Sequence, residues 1–364
     1  MGVSAIKRIL LVLCGILVIL VGYLYVDIWF YVQAQPPPTA STPAPPLVSD
    51  LELPIWPELE FQSNVRTKSI YTYEQMVEDI RALLDQYPLL QADIIGQSVE
   101  GRAIYQLKLG RGPVKILLDG SHHANEWIGS FLLMTMVEHY AHYYHTGSMF
   151  NQYDLRQIGE QVTFYFVPMV NPDGVEIVAS LGESSLDYQS LLKMNGGSKN
   201  FTRWKANARG VDLNRQYPAN WTYAQGYGPS RPAAANYAGP KALSEPEILA
   251  MHELYQAEQF QAQVSFHTVG NLVYYYYHQT GDDLKRDRAL ANLVSRATGY
   301  PVRDSSGGIG GLAKDYAIST YQIPSLIIEL GRNKTRPLPE FTDMWRRNRH
   351  VPLVIAQFLT TVKP

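Results

Sequence analysis

Residues 114–144 read VKILLDGSHHANEWIGSFLLMTMVEHYAHYY, and this stretch decides the fold class. It begins with Val114–Leu118, an apolar run that predicts a buried β-strand, and it ends with Trp127–Tyr144, which predicts a long helix. A short polar turn with two histidines and a glutamate separates them. Because strands that alternate with helices are typical of α/β proteins, we expect an α/β domain.

Further strands and helices alternate along the chain. Four more short apolar runs predict strands, and two more stretches have apolar residues at helical spacing. The strands are Ala103–Leu109, Val162–Val167, Ala262–Phe266 and Ser325–Ile328, and the helices are Tyr73–Leu84 and Ser244–Tyr255. This order predicts a single α/β domain over residues 71–364, with a mixed, mostly parallel central sheet flanked by helices. Ser244 with Glu247 predicts a capping box at the start of the last of these helices.

Residues 1–34 have the pattern of an N-terminal membrane anchor. Ile9–Val26 is an uncharged apolar run, close to the roughly 20 residues that a membrane-spanning helix needs. Lys7 and Arg8 precede it, and by the positive-inside rule they keep the N-terminus in the cytoplasm. We therefore expect a single-pass protein of the cell membrane whose folded domain is extracytoplasmic. A cleaved signal peptide, with a poor cleavage site at residues 32–34, and a buried core helix are the alternatives.

Residues 35–70 are predicted to connect this anchor to the folded domain. Gln35–Pro46 reads QPPPTASTPAPP, a composition typical of an extended, semi-rigid spacer. The spacer would hold the domain away from the membrane.

The composition excludes some classes of function and of metal site. A formal net charge of -2 gives no basic surface of the kind that nucleic-acid binding requires. The only cysteine in the sequence is Cys14, so the folded domain has no disulfide and no cysteine to bind a metal. Any metal in the domain must be held by nitrogen and oxygen ligands.

Such ligands occur in the polar turn of the opening stretch. His123 and Glu126 are three residues apart, so that an imidazole and a carboxylate can bind one ion from the same side. Zinc accepts this combination of nitrogen and oxygen, with one protein ligand still to be found. The pair alone is weak evidence, because a solvated histidine and a helix-start glutamate produce the same pattern.

Two further polar residues follow apolar strands. His267 follows Gln263–Phe266, and Glu329 follows Leu326–Ile328. Ligands of open α/β sheets bind outside the carboxyl ends of the strands, so three strand ends are expected to bring His123, Glu126, His267 and Glu329 to one edge. For each residue taken singly, a buried core histidine or a capping or solvated carboxylate is the alternative.

Together with other motifs, these residues give the chain from Tyr71 to its C-terminus a resemblance to the zinc carboxypeptidase family, typified by pancreatic carboxypeptidase A. Five motifs occur in the order that the family has. They are His123-x-x-Glu126, Asn171-Pro172-Asp173-Gly174, Asp212-x-Asn214-Arg215, His267, and Ile328-Glu329-Leu330. The resemblance implies the fold of this family and the activity of a zinc metallopeptidase of the metallocarboxypeptidase type.

The resemblance also implies the roles of the residues around the metal. Zinc would be held by three ligands, His123, Glu126 and His267, with an open position for water. Glu329 would be the general base that takes a proton from this water and passes it to the leaving amine. Asp212 is similar to the carboxylate that lies behind the first histidine of the family and fixes its ring tautomer. An ordinary turn residue is the alternative for Asp212.

The residues that would contact substrate match the family only in part. Asn214 and Arg215 resemble the pair that binds the terminal carboxylate of the substrate, although Arg215 also has the alternative of a surface salt bridge. Lys205 stands where carboxypeptidase A has an arginine that polarises the carbonyl. The positive charge is therefore kept, but the planar guanidinium with its paired N–H donors is lost. The tyrosine of the family is expected near residues 304–307, where none occurs.

Two features suggest a substrate. Lys314, directly before Asp315, resembles the position that helps to select the side chain next to the cleaved bond, where a cation favours an acidic group. A lysine at a helix start or on the surface is the alternative. The segment Trp204–Asn214 is similar in sequence to the corresponding segment of the γ-D-glutamyl-diaminopimelate peptidases of bacterial cell walls. The resemblance therefore implies a peptide partner, a peptidoglycan stem peptide. Trimming of ordinary peptide C-termini, or an inactive peptide-binding module, are the alternatives.

Overall fold

The computed structural model describes residue 59, residues 61–304 and residues 310–361. Within these ranges eight strands form one mixed sheet flanked by helices, which confirms the predicted α/β class. The strands are β1 Gln91–Gln97, β2 Ala103–Gly110, β3 Val114–Gly120, β4 Val162–Val167, β5 Ala262–Thr268, β6 Leu272–Tyr274, β7 Val302–Arg303 and β8 Ser325–Leu330. The α-helices are α1 Tyr73–Gln86, α2 Ile128–Thr146, α3 Leu155–Gln161, α4 Pro172–Ala179, α5 Tyr188–Met194, α6 Trp221–Tyr227, α7 Pro246–Glu258, α8 Gly281–Thr298, α9 Ala313–Tyr321, α10 Phe341–Asn348 and α11 Val351–Thr361.

The predicted anchor, residues 1–34, and the proline-rich stretch after it lie outside the described residues. Among the helices of residues 61–304 and 310–361, none is both long and apolar enough to cross a membrane. The anchor and the spacer therefore stay predictions.

The strand order across the sheet is β1-β2-β4-β3-β5-β8-β6-β7. The neighbours β3–β4, β3–β5, β5–β8 and β6–β7 are parallel, whereas β1–β2, β2–β4 and β6–β8 are antiparallel. The centre of the sheet is thus parallel and antiparallel pairs lie toward the edges, as expected for a mixed, mostly parallel sheet.

The predicted strands correspond to β2, β3, β4, β5 and β8, whose ends extend by up to two residues beyond the apolar runs. Strands β1, β6 and β7 were not predicted, and each has a physical reason. Strand β1 is at the edge and much of it is exposed, so it lacks the apolar run of a buried strand. Strands β6 and β7 contain only three and two residues. Such short segments give no periodicity to detect.

The predicted helices correspond to α1, α2 and α7 with small shifts at their ends. The capping box predicted for α7 was wrong. The N-cap residue is Glu245, and no side chain caps the helix; Ser244 instead binds Gln216, with 3.0 Å between Oγ and Oε1. Glu247 is buried and accepts hydrogen bonds from other parts of the fold, so it cannot turn back toward the N-cap. Pro246 at the first turn starts the helix without a box.

The central strands are covered on both faces, and this positions the site. Successive residues of a strand point to opposite faces. Accordingly Ile116 and Leu118 of β3 pack into one core cluster and Leu117 into another. Since β3, β5 and β8 are parallel neighbours, their carboxyl ends lie along one edge of the sheet. Polar residues that follow these strands are thereby brought close together.

Candidate metal centre

The candidate site lies where β3, β5 and β8 end. His123 and Glu126 lie in the connection between β3 and α2, and Glu126 ends the 3-10 turn Ala124–Glu126. His267 and Glu329 are the penultimate residues of β5 and β8, and the parallel register places them directly opposite one another. The four residues predicted at strand ends therefore meet at one edge of the sheet.

Three of these residues form a compact, buried cluster. The carboxylate of Glu126 lies between the two imidazoles: its Oε1 is 3.0 Å from His123 Nδ1, and its Oε2 is 2.9 Å from His267 Nδ1. One ligand atom from each residue can be chosen so that all lie within 4.8 Å of one another. The three residues are almost inaccessible to solvent.

The donors of this cluster fit zinc. Two imidazole nitrogens and one carboxylate form the three-ligand set of catalytic zinc sites, which leave a fourth position open. In the described structure Glu126 Oε1 is buried and makes no hydrogen bond, although His123 Nδ1 lies 3.0 Å from it. A divalent cation between the three side chains would give this oxygen the partner that it lacks. His123, Glu126 and His267 are therefore the residues that would hold the metal.

The electrostatics of the cluster favour the metal-binding forms of Glu126 and His267. For His123, burial lowers the pKa, but the charge of Glu126 outweighs burial and raises it, so a metal must displace a proton from this ring. Burial would raise the pKa of Glu126, but the positive charges of His123 and Lys205 outweigh burial and hold this pKa well below its usual range. Burial lowers the pKa of His267 to about 4, even though its hydrogen bond to Glu126 acts in the opposite direction. At neutral pH the site thus offers an ionised carboxylate and a neutral imidazole, the forms that bind metal.

Asp212 lies behind His123, where it can orient the ring. Its Oδ1 is 3.3 Å from His123 Nε2, on the opposite side of the ring from the nitrogen that faces Glu126. The backbone N–H groups of Asn214 and Asn236 donate to its two oxygens at 3.1 and 3.0 Å. Burial raises the pKa of Asp212, yet the charges of His123 and Arg215 hold it far below its usual range. A carboxylate fixed and charged in this way holds the imidazole in one orientation.

Glu329 lies beside the cluster on β8. Burial, and then the negative charge of Glu126, raise its pKa to about 8, while His123 and Lys205 act in the opposite direction. A raised pKa brings a carboxyl group close to the pH at which it can both accept and return a proton. A bound divalent cation would lower the pKa again because it favours the ionised form.

Two lysines approach the cluster, and the sequence predicted only one of them. Lys205 Nζ lies 3.6 Å from Glu126 Oε1 and 3.4 Å from His123 Nδ1. Lys334 Nζ lies 4.0 Å from the same oxygen of Glu126. Burial and the neighbouring charge of Lys205 lower the pKa of Lys334. Lys334 was missed because it belongs to no motif; its position shortly after the strand end at Glu329 was the one signal that could have indicated it.

Asn214 and Arg215 lie at the same edge, in the 3-10 turn Leu213–Arg215. Asn214 Nδ2 is 3.2 Å from His267 Nε2, and its Oδ1 accepts a hydrogen bond from the backbone N–H of Ala313. The guanidinium of Arg215 is largely buried and donates one hydrogen bond, from Nη1 to the carbonyl oxygen of Asn214 at 2.6 Å. Its Nε makes no hydrogen bond to any described residue. Arg215 is therefore a buried cation rather than part of a surface salt bridge.

Lys314 is fully buried at the start of α9. Its ammonium donates to Asp315 Oδ1 at 2.6 Å and to the carbonyl oxygen of Tyr276 at 2.8 Å. Burial lowers its pKa, although the charge of Asp315 acts against this. A surface lysine is thus wrong, whereas a lysine at the start of a helix agrees with the structure. The role of Lys314 in selecting substrate stays a prediction. The tyrosine was expected near residues 304–307, and of these residues 305–307 lie outside the described residues.

Comparison with known proteins agrees with this geometry. The sequence profile of the family described as zinc carboxypeptidase matches residues 76–349. The chain is 34% identical over 279 residues to gamma-D-glutamyl-L-diamino acid endopeptidase 1 of Lysinibacillus sphaericus, with 76% of this chain and 69% of that protein covered. It is 29% identical over 283 residues to an uncharacterized protein of Bacillus subtilis (strain 168), covering 76% of this chain and 73% of that one.

A solved structure shows the same fold. Bovine thrombin-activatable fibrinolysis inhibitor, in complex with tick carboxypeptidase inhibitor, superimposes with a TM-score of 0.64 at 19% sequence identity. The match covers 81% of this chain and 99% of that chain. At this level of identity the likeness concerns the fold.

Proposed function

Because the chain belongs to the zinc carboxypeptidase family and is a zinc metallopeptidase, we propose that it hydrolyses the γ-D-glutamyl-diaminopimelate bond of peptidoglycan stem peptides. The observation that carries this proposal is the 34% identity, over 76% of the chain, to a protein named as a gamma-D-glutamyl-L-diamino acid endopeptidase. The similar segment Trp204–Asn214 supports the same substrate.

The proposed chemistry assigns one task to each group of the site. His123, Glu126 and His267 would hold zinc, which would supply a Lewis acid for the scissile carbonyl and for the attacking water. Glu329 takes the proton of the attacking water and delivers it to the leaving amine. The ammonium of Lys205 lies at the same cluster and stabilises the negative charge that develops on the carbonyl oxygen.

The remaining residues position the substrate and the ligands. Asp212 keeps the ring of His123 in one orientation through its contact at 3.3 Å. Arg215 and Asn214 bind the terminal carboxylate of the substrate, since the fork of a guanidinium matches a carboxylate and Arg215 Nε lacks a hydrogen bond within the described part of the chain. Lys314 favours substrates with the second carboxylate of diaminopimelate.

Mass spectrometry of the reaction products tests this proposal. The zinc-loaded protein is incubated with the tripeptide L-alanyl-γ-D-glutamyl-meso-diaminopimelate and, separately, with a peptide that ends in an ordinary α-linked residue. The proposal predicts that the tripeptide is cut to free diaminopimelate and the alanyl-glutamate dipeptide. It is wrong if the tripeptide stays intact while the ordinary peptide loses its terminal residue.

That last result would identify the second candidate, a carboxypeptidase that trims ordinary C-termini. The similarity to human carboxypeptidase B, 28% identity over 254 residues with 66% of this chain and 56% of that protein covered, favours this candidate. The pair Asn214 and Arg215 suits either substrate, because both end in a free carboxylate.

The location of the enzyme is proposed from the sequence. We propose that residues 1–34 anchor the chain as a single-pass protein of the cell membrane, and that residues 71–364 form the peptidase domain outside it. Full-length protein should then sediment with membranes and be digested by protease added from outside. Recovery of mature chains that begin near Gln35 in the soluble exported fraction would show a cleaved signal peptide instead.

A further inference from the structure

Two ammonium groups lie on one side of the metal-ligand cluster. Lys205 Nζ is 3.6 Å and Lys334 Nζ is 4.0 Å from the same oxygen, Glu126 Oε1. Lys205 belongs to the loop between α5 and α6, whereas Lys334 follows β8, so two separate segments bring positive charge to one point. The side chain of Lys334 is 36% exposed against 21% for Lys205, so Lys334 lies nearer to the solvent from which a substrate enters.

The net charge around these lysines changes sign when a divalent cation binds, from one net negative charge to one net positive charge. The carboxylates that face the cluster are those of Glu126, Asp212 and Glu329. When Glu126 binds a divalent cation, its charge is shared with that ion and no longer neutralises a lysine. Three carboxylates against a divalent cation and two ammonium groups then leave one net positive charge. Because unpaired charge in a largely buried site is costly, the loaded site should attract an anion.

The proposed substrate carries an anion at the right distance. A glutamyl residue linked through its γ-carboxyl group has a free α-carboxylate, whereas an α-linked residue has a carboxylate on this side of the cleaved bond only if its own side chain is acidic. Four carbon–carbon bonds of about 1.5 Å separate it from the scissile carbon, so an extended chain spans roughly 5 Å. A carboxylate held that far from a carbonyl at the metal falls within reach of a second, more exposed ammonium group.

We infer that Lys334, with Lys205 beside it, forms an anion subsite that binds the free α-carboxylate of the γ-linked glutamyl residue. Lys205 stabilises the developing charge on the carbonyl oxygen, and Lys334 binds the carboxylate on the amino side of the cleaved bond. This inference rests on the proposed function and adds a recognition element to it. Arg215 would then bind the C-terminal carboxylate of the substrate, and Lys334 would favour a γ-linked glutamyl residue over a neutral α-linked residue.

Calorimetric binding to an inactive protein tests the subsite without turnover. The background is the full-length, zinc-loaded Glu329→Gln variant, and the two ligands are the tripeptide and its analogue with the glutamyl α-carboxylate converted to an amide. The amide has nearly the same shape and lacks the charge. The carboxylate ligand should bind about tenfold more tightly, which corresponds to about 1.4 kcal/mol. Adding Lys334→Ala should bring this ratio of dissociation constants close to one.

Two matched variants separate charge from structure. Lys334→Arg keeps the cation and should keep most of the preference. Arg336→Ala removes an exposed cation from the same segment and should leave the ratio near ten. The ratio of kcat/KM for the two ligands in the protein with Glu329 intact should follow the same pattern.

The outcomes distinguish this inference from the proposed function. If the tripeptide and its amide are both cleaved and bind equally well, the subsite is wrong and the proposed function stands. If Lys334→Ala weakens both ligands by the same factor, Lys334 supports the structure only, and the subsite is again wrong. If neither ligand is cleaved by the protein with Glu329 intact, the proposed function and the subsite both fail.

Discussion

Replacing Arg215 by alanine should abolish most of the preference for substrates with a free C-terminal carboxylate. Arg215 is largely buried, and its Nη1 donates a hydrogen bond to the carbonyl oxygen of Asn214. Its Nε makes no hydrogen bond within the described structure, so part of the guanidinium fork is free to bind an anion. Arg215 also interacts electrostatically with Asp212 and Asp315.

The size of the effect follows from this burial. A hydrogen bond between charged groups contributes about 1.5–3 kcal/mol. At about 1.4 kcal/mol for each factor of ten, Arg215→Ala should lower kcat/KM by about ten- to 150-fold. Arg215→Lys keeps the charge and loses the fork, so its loss should be smaller.

The assay compares kcat/KM for a substrate with a free C-terminus and for the same substrate as a C-terminal amide. The ratio of these values should be large in the unmodified protein and close to one in Arg215→Ala. Arg209→Ala is the matched control, because Arg209 lies on the same loop but is exposed. A ratio that survives in Arg215→Ala would refute the assignment of Arg215 to the terminal carboxylate.

Three more predictions concern the metal, the specificity and the pH dependence of stability. His123→Ala and His267→Ala should each lose zinc, as measured by metal content per chain, and retention of one zinc by both would contradict the ligand assignment. Lys314→Ala should lower the ratio of kcat/KM for a diaminopimelate peptide to that for its lysine counterpart; an unchanged ratio would show that Lys314 does not read the substrate. Burial, and then the nearby Asp173 and Glu245, raise the pKa of Glu247 to about 8. A carboxyl group with a raised pKa stabilises the fold below its ordinary pKa and loses this contribution as pH rises toward 8. The melting temperature should therefore fall less between pH 5 and pH 8 in Glu247→Gln than in the unmodified protein. An equal change of melting temperature with pH in the two proteins would contradict the raised pKa of Glu247.

The main architecture was predictable because its signals are long and apolar. Strand β3 and helix α2 are buried almost throughout, so their composition alone indicates their type. The metal-ligand cluster was predictable for a related reason: His267 and Glu329 end buried strands, and parallel strands bring such residues to one edge. In both cases the pattern in the sequence is a direct consequence of burial.

Other features depend on contacts between distant parts of the chain. Ser244 does not cap α7 because Gln216, from another segment, offers it a hydrogen bond. Lys334 approaches Glu126 only through the path of the chain after β8, which no local pattern specifies. The burial of Lys314 likewise depends on its neighbour Asp315 and on the carbonyl oxygen of Tyr276. A single sequence carries no signal for such pairings.

The most direct test of the metal centre measures zinc content and turnover together in Glu329→Gln. This substitution keeps the shape of the side chain and removes its ability to accept a proton, while His123, Glu126 and His267 are left intact. We expect one zinc per chain, as in the unmodified protein, with kcat lowered by about a hundred- to ten-thousandfold. Near-normal kcat with zinc bound would show that Glu329 is not the general base, and loss of zinc would show that it belongs to the ligand set.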